Sequence, residues 1–178
     1  MSHPQQMNFF SQVKAIAPQF FENQRVVEIG SLDIIGTIRK FFENCQYVGV
    51  DVGPGPGVDV ICEGQHYAGD SNSFDVAASA ECFEHNPHWI ATFANMLRLV
   101  RPGGLIIVSC ATTGRPEHGT SRTSPSDSPL TIGRGWEYYL NLTEEDFRAN
   151  FNFDNLFLDY KFVINNASHD LYFVGTKK

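Results

Sequence analysis

Positive charge is scarce in this 178-residue chain, where 13 Lys and Arg stand against 20 Asp and Glu for a formal net charge of −7. No basic cluster is longer than Lys177–Lys178, so a long phosphate backbone is disfavoured as a partner and no nucleic acid is expected. No apolar run approaches the length of a membrane span. Cysteine is limited to Cys45, Cys62, Cys82 and Cys110, which share no close-pair spacing. The opening MSHPQQMNFF lacks the basic-then-apolar pattern of a targeting peptide, so the thiols read as reduced and the chain as cytoplasmic. Internal repeats are absent.

What is present points to a globular chain. Hydrophobic residues make up 42% and include fifteen Phe, which promise a bulky core. The length is most simply one domain, residues 1–178, able to bury roughly two-thirds of its unfolded surface.

The organising stretch is VVEIGSLDIIGTI, Val26 to Ile38. Val26, Val27 and Ile29 form a short buried strand, closed by Gly30. Ser31 and Asp33 can cap exposed backbone N–H groups, and a helix of about ten residues is expected from Gly36 to Asn44. A strand, a glycine turn and a helix make the first unit of a nucleotide-binding sheet, because a residue without Cβ lets a ligand approach the backbone. The dinucleotide fingerprint G-x-G-x-x-G is not met, since positions 30, 32 and 35 are Gly, Leu and Ile. Glu28, at the carboxyl end of the strand, suits a cationic or hydroxyl-rich ligand better than a diphosphate.

Further along, QYVGVD (46–51) reads as a second strand ending in Asp51, 23 residues after Glu28. That is close to the offset at which nucleotide-binding folds place a ribose-binding carboxylate, so Glu28 and Asp51 should flank one pocket. A leading helix is expected within residues 1–22, its apolar positions Phe9, Phe10, Val13, Ile16 and Phe20 ending near Pro18. Val58–Ile61, Phe74–Ser79 and LIIVSCA (105–111) read as strands three to five, the last introduced by the RPGG turn (101–104). Asn86-Pro87 should open a helix with Ile90, Phe93, Ala94 and Leu97 on its buried face. Within residues 111–139 a polar Gly/Ser/Thr/Pro-rich run (112–135) is followed by Trp136, Tyr138 and Tyr139, and the whole reads as a substrate loop or lid. Thr143 caps a helix, and two antiparallel strands near Leu156–Ile164 and Asp170–Gly175 finish the chain.

Four segments in this order, VVEIGS, YVGVD, NSFDVAASAECFEH and RPGG before LIIVS, resemble the class I S-adenosylmethionine-dependent methyltransferases. The likeness runs from about Val26 to Leu105. It implies an α/β, Rossmann-like, doubly wound sheet of seven mostly parallel strands with a C-terminal antiparallel hairpin. In the first motif Leu32 and Ile34 replace the second and third glycines, while Gly30, Ser31, Asp33 and Gly36 match a G-S-x-D-x-x-G variant. The resemblance places Glu28 and Gly30 near the methionine moiety of S-adenosylmethionine and counts Ser31 among the cofactor-binding residues. It also places Asp51 on the ribose hydroxyls, Val52 on the adenine, Glu63 and Gly64 at the adenine edge, and Ala80 and Glu81 along the sulfonium.

An acceptor hydroxyl would benefit from a base, and His85 and His118 are the candidates. His85 and His88 lie three apart, but no third ligand is spaced to join them, so no metal is expected. The reading is a methyltransferase acting on a small-molecule or sugar-like acceptor, with O-methylation preferred and the oligomeric state open. The alternatives are a nicotinamide-dependent oxidoreductase and a non-catalytic subunit that keeps the fold and activates a partner enzyme.

Overall fold

The computed structural model describes residues 3–178. Its strands are β1 (Arg25–Ile29), β2 (Gln46–Asp51), β3 (Val60–Ile61), β4 (Phe74–Ala80), β5 (Val100–Ala111), β6 (Phe157–Asn165) and β7 (Asp170–Lys177). They form one sheet in the order β3-β2-β1-β4-β5-β7-β6. Pairings from β3 through β5 are parallel, and β7 runs antiparallel to both its neighbours. The chain winds outward from β1 to β3 and then crosses back to β4, so the strand order reverses between β1 and β4. Ligands of open α/β sheets bind at such a reversal, outside the carboxyl ends of the strands.

Alternating side chains send successive residues to opposite faces. Val26, Val76, Leu105 and Ile107 pack beneath α1 (Pro4–Ile16), where Phe9, Phe10 and Val13 meet them. Val27, Ala77, Ile106 and Phe173 take the other face, under α2 (Trp89–Leu99). That face lies also beneath α4 (Glu144–Asn150) and α5 (Phe153–Leu156), whose Phe147 and Phe153 are fully buried. A fifth short helix, α3 (Pro129–Gly133), lies in the long connection before them. The cap at Thr143 is a complete capping box with Asp146.

Several elements depart from the sequence reading. The leading helix, Pro4–Ile16 behind a His3 cap, ends near Pro18 as expected, and only Phe20 falls outside it, in the separate 3-10 turn that Pro18 starts. No α-helix forms over 36–44. Gly36 takes a positive φ of 149° and Thr37 is extended, the Asp33 carboxylate takes the Gly36 N–H, and only a 3-10 turn, Ile38–Phe41, fits before Asn44 reverses the chain. Helix α2 starts at Trp89, and its buried face is rotated: Ile90 is 41% exposed and Ala94 is exposed, whereas Thr92, Asn95 and Met96 point inward. Asn95 turns in because it donates to Gly64 O (2.7 Å) and Tyr67 O (3.0 Å), tying the loop after β3 to the helix. The third strand is only the pair Val60–Ile61, and residues 111–139 are not structureless, since they contain α3 and a 3-10 turn at Pro125–Asp127.

Candidate functional site

The site is built on the turn after β1. Gly30 has φ +83°, and a Cβ on it would lie 2.4 Å from Cys82 Cβ, so only glycine lets the loop after β4 pack this close. Its N–H and that of Ser31 donate to Val50 O, which fixes the turn against β2. At the end of β2 the Asp51 carboxylate accepts from Leu32 N (2.9 Å) and Val52 N (2.7 Å), and burial raises its pKa against the pull of both bonds. Glu28 is buried, and Tyr47 donates its hydroxyl to Oε2 at 2.6 Å. Burial, reinforced by the neighbouring Asp51 charge, pushes the Glu28 carboxyl up to about 8 despite that hydrogen bond.

These groups converge. Glu28, Gly30, Ser31, Asp51, Ala80 and Glu81 line one cleft of about 60 Å3, and His85 closes its far end. Past Gly30 and Asp51 it continues into a space of about 30 Å3 walled by Val52, Gly64, Asn86 and Trp136. Glu63 is the exception among the expected residues on this side. Its carboxylate turns outward to Arg134 and Gln65 (2.7 Å to the Gln65 amide). The segment 127–131 lies over the cleft: Leu130 sits against Gly53, where a Cβ would meet its Cδ2 at 2.8 Å, and Arg134 joins Glu63. Trp136 completes the cover, packed between the His88 ring and the Arg134 guanidinium.

His118 does not line this cleft. It faces a separate opening of about 350 Å3 whose polar wall includes His3, Arg115, Glu117, Thr123 and Asp127. The fold nonetheless brings the two histidines together, with ring centroids 4.9 Å apart, and Asp127 borders both spaces. Burial, with His118 adding to it, pushes the His85 imidazole down to about 3, and burial also lowers His118, so both rings are neutral near pH 7. Glu84 lies behind them with no exposed surface. Around the rim, the His3 ring stands 3.2 Å from Asp170 and 3.6 Å from Glu81, and Arg115 also reaches Asp170 (3.0 Å).

Sequence reasoning missed Glu84, Cys82, Asp127, Leu130 and His3 as parts of the site. Glu84 reads as a loop acid in ECFEH, and Asp127 and Leu130 sit in a polar run without a chemical motif. His3 sits at the rim only because its ring meets Glu81 and Asp170, residues far from it in sequence.

The donor set fits the cofactor that the sequence implies. A glycine cradle that a Cβ would fill, a carboxylate at each of two parallel strand ends and an unpartnered Ser31 hydroxyl face one cleft. A family model described as a methyltransferase domain matches residues 3–139. No curated protein matches the chain in sequence. Among solved structures, the fold is similar to Burkholderia thailandensis 1,6-didemethyltoxoflavin-N1-methyltransferase with bound 1,6-didemethyltoxoflavin and S-adenosylhomocysteine. That pair has a TM-score of 0.65 and 18% identity, over 97% of this chain and 78% of the other. It is also similar to Haemonchus contortus phosphoethanolamine N-methyltransferase 2 in complex with S-adenosyl-L-methionine (0.63, 16%, 94% of this chain), of whose length this chain spans 52%. A S-adenosylmethionine-dependent methyltransferase from Archaeoglobus fulgidus gives 0.63 and 12%, over 97% and 94% of the two chains. At these identities the likeness is one of fold. Among the described residues no helix is long and apolar enough to cross a membrane.

Proposed function

We propose, from the premise that this chain belongs to the methyltransferase-domain family and is an S-adenosylmethionine-dependent methyltransferase, that it methylates an oxygen of a small, polar, sugar-like acceptor. One observation carries the reading: the cofactor cleft and a polar opening share Asp127, and the His85–His118 pair stands where they meet. When bound, the cofactor supplies a methyl group already activated on a sulfonium, so the protein's task is mainly alignment. Glu28 offers a carboxylate to the ammonium group, Asp51 offers free lone pairs to the ribose hydroxyls, and Val52, Gly64 and Trp136 wall the adenine side. Ala80, Glu81 and Cys82 border the methyl-bearing end next to His85. His85 and His118 position the acceptor oxygen and ease the loss of its proton.

The cleft is far smaller than a nucleoside, so the 125–136 segment acts as a lid that opens for the cofactor and closes over it. The four cysteines are all free, which suits a reducing compartment such as the cytoplasm. Calorimetric titration with S-adenosylmethionine, S-adenosylhomocysteine and NADH tests the cofactor. Micromolar binding of the first two, weakened about 100-fold or more in Asp51→Ala by loss of charge-assisted hydrogen bonds, is expected. Binding of NADH alone, or of none of the three, would overturn the reading. A radiolabelled methyl-transfer screen over polyhydroxylated metabolites then tests the acceptor class.

A further inference from the structure

Resting on that reading of the two histidines, we propose that Glu84, His85 and His118 hold a divalent first-row transition-metal ion at the junction of the cofactor cleft and the acceptor opening. One ligand atom from each lies within 4.8 Å of the others, and the residues are 0%, 2% and 8% exposed. Among the described residues, both Glu84 carboxylate oxygens, both His85 ring nitrogens and His118 Nε2 are buried without a hydrogen-bond partner. The backbone N–H groups of Glu84 and Ala111 act on the carboxylate at a distance, but neither closes a hydrogen bond to it. Orphaned buried polar atoms are costly, and three such side chains converging on one point share one remedy, a cation.

The surroundings prepare the ligands. Pro116 O can only accept, so His118 Nδ1, 3.0 Å from it, carries the proton and leaves the Nε2 lone pair free and pointing inward. An outer carbonyl that fixes the tautomer in this way is the usual support of a metal-ligating histidine. Tyr139 donates to the same carbonyl at 3.1 Å, and its ring packs on both imidazoles, which holds the pair in place. Two imidazoles and a carboxylate suit a transition ion, whereas Mg2+ and Ca2+ prefer oxygen alone. A small contraction brings three such atoms to bonds of about 2.0–2.2 Å. The nearby His3–Glu81–Asp170 group is different, because its acids already face the His3 ring and Arg115.

Three protein ligands leave coordination positions open, and His85 borders the cleft while His118 borders the opening. An acceptor hydroxyl bound there becomes more acidic. It sheds its proton to water, its oxygen forms the new O–CH3 bond, and the electron pair of the broken C–S bond stays on sulfur.

The test uses the full chain, stripped with chelator and titrated with Zn2+, Mn2+, Co2+ and Mg2+, each followed by calorimetry. The expected result is one equivalent of the transition ions and markedly weaker Mg2+. Glu84→Gln and His118→Ala should each weaken binding about tenfold or more, with circular dichroism and S-adenosylmethionine affinity retained. The Co2+ absorption spectrum of the unaltered protein needs no variant to fold, and it should lack a thiolate charge-transfer band. No stoichiometric binding, binding unchanged in both variants, or a thiolate band placing the ion on Cys82 would overturn the proposal. So would methyl transfer that is indifferent to chelation. Cofactor binding without metal binding removes this inference and leaves the methyltransferase reading. Metal binding without cofactor binding removes the methyltransferase reading and leaves the ion site.

Discussion

Glu28 keeps its proton near neutrality because its site was desolvated faster than it was given donors: a single Tyr47 hydroxyl faces it. With its carboxyl at about 8 when folded and an ordinary value of 4.5, the folded chain holds a proton that the unfolded chain has lost. The unliganded protein should therefore lose stability as pH rises from about 4.5 toward 8 and level off above, as urea midpoints across that range would reveal. A bound ammonium group reverses the preference of the carboxyl. Cofactor binding at pH 7 should thus release close to one proton, read as a calorimetric enthalpy that depends on the buffer's ionisation heat, and Glu28→Gln should abolish that dependence. Gly119 supplies a second residue-scale test. It has φ +64°, and a Cβ there would lie 2.6 Å from His85 Cε1. Gly119→Ala should cost about 1–2 kcal/mol of stability through its left-handed backbone. It should also cut methyl transfer about tenfold or more while the cofactor affinity moves by only a few-fold, as paired binding and turnover assays would show.

At the scale of elements, the aromatic layer beneath the sheet is made by a four-residue helix. Phe153 of α5 stands with its ring 5.1 Å from Phe162, 5.4 Å from Phe157 and 5.4 Å from Phe173, and it is 1% exposed. Phe153→Ala should destabilise the chain by about 3–5 kcal/mol in denaturant unfolding, with cofactor affinity at permissive temperature unchanged. The proposed lid is held differently, by the Arg134–Glu63 ion pair at the surface. Exposed pairs contribute about 0.2–1 kcal/mol, so Arg134→Ala should raise the cofactor association rate by about two- to fivefold in stopped-flow experiments. The helices were the less legible elements of the sequence. Over 36–44 the apolar residues Ile38, Phe41 and Phe42 suggest a helical face, but the Asp33–Gly36 turn and Asn44 at φ 53° leave room for a single 3-10 turn. In α2 the inward Asn95 is invisible to a hydrophobic pattern, because its burial depends on carbonyls of Gly64 and Tyr67 roughly 30 residues away.

For the whole molecule, the mostly parallel sheet and the meeting of its two acidic strand ends are largely readable from sequence because strand ends announce themselves. Glu28 before Gly30, and Asp51 ending QYVGVD, each finish a β-branched run, and parallel pairing then obliges them to meet. The acceptor side is not readable in the same way. Nothing between His85 and His118 in sequence links them, and only the return of the long connection sets one ring edge-on against the other. Glu63 shows the converse, a residue well placed in sequence whose side chain a distant arginine draws outward. The sheet itself carries a further consequence. β7 is the last strand in chain order, yet it sits inside the sheet between β5 and β6. A growing polypeptide on the ribosome therefore exposes the open edge of β5, the most continuously apolar strand, until β7 emerges, and β6 cannot take its place because it pairs only through β7. The half of the site that depends on Asp170 waits on the same event, and a product interrupted before β7 would present a sticky edge to chaperones and proteases instead.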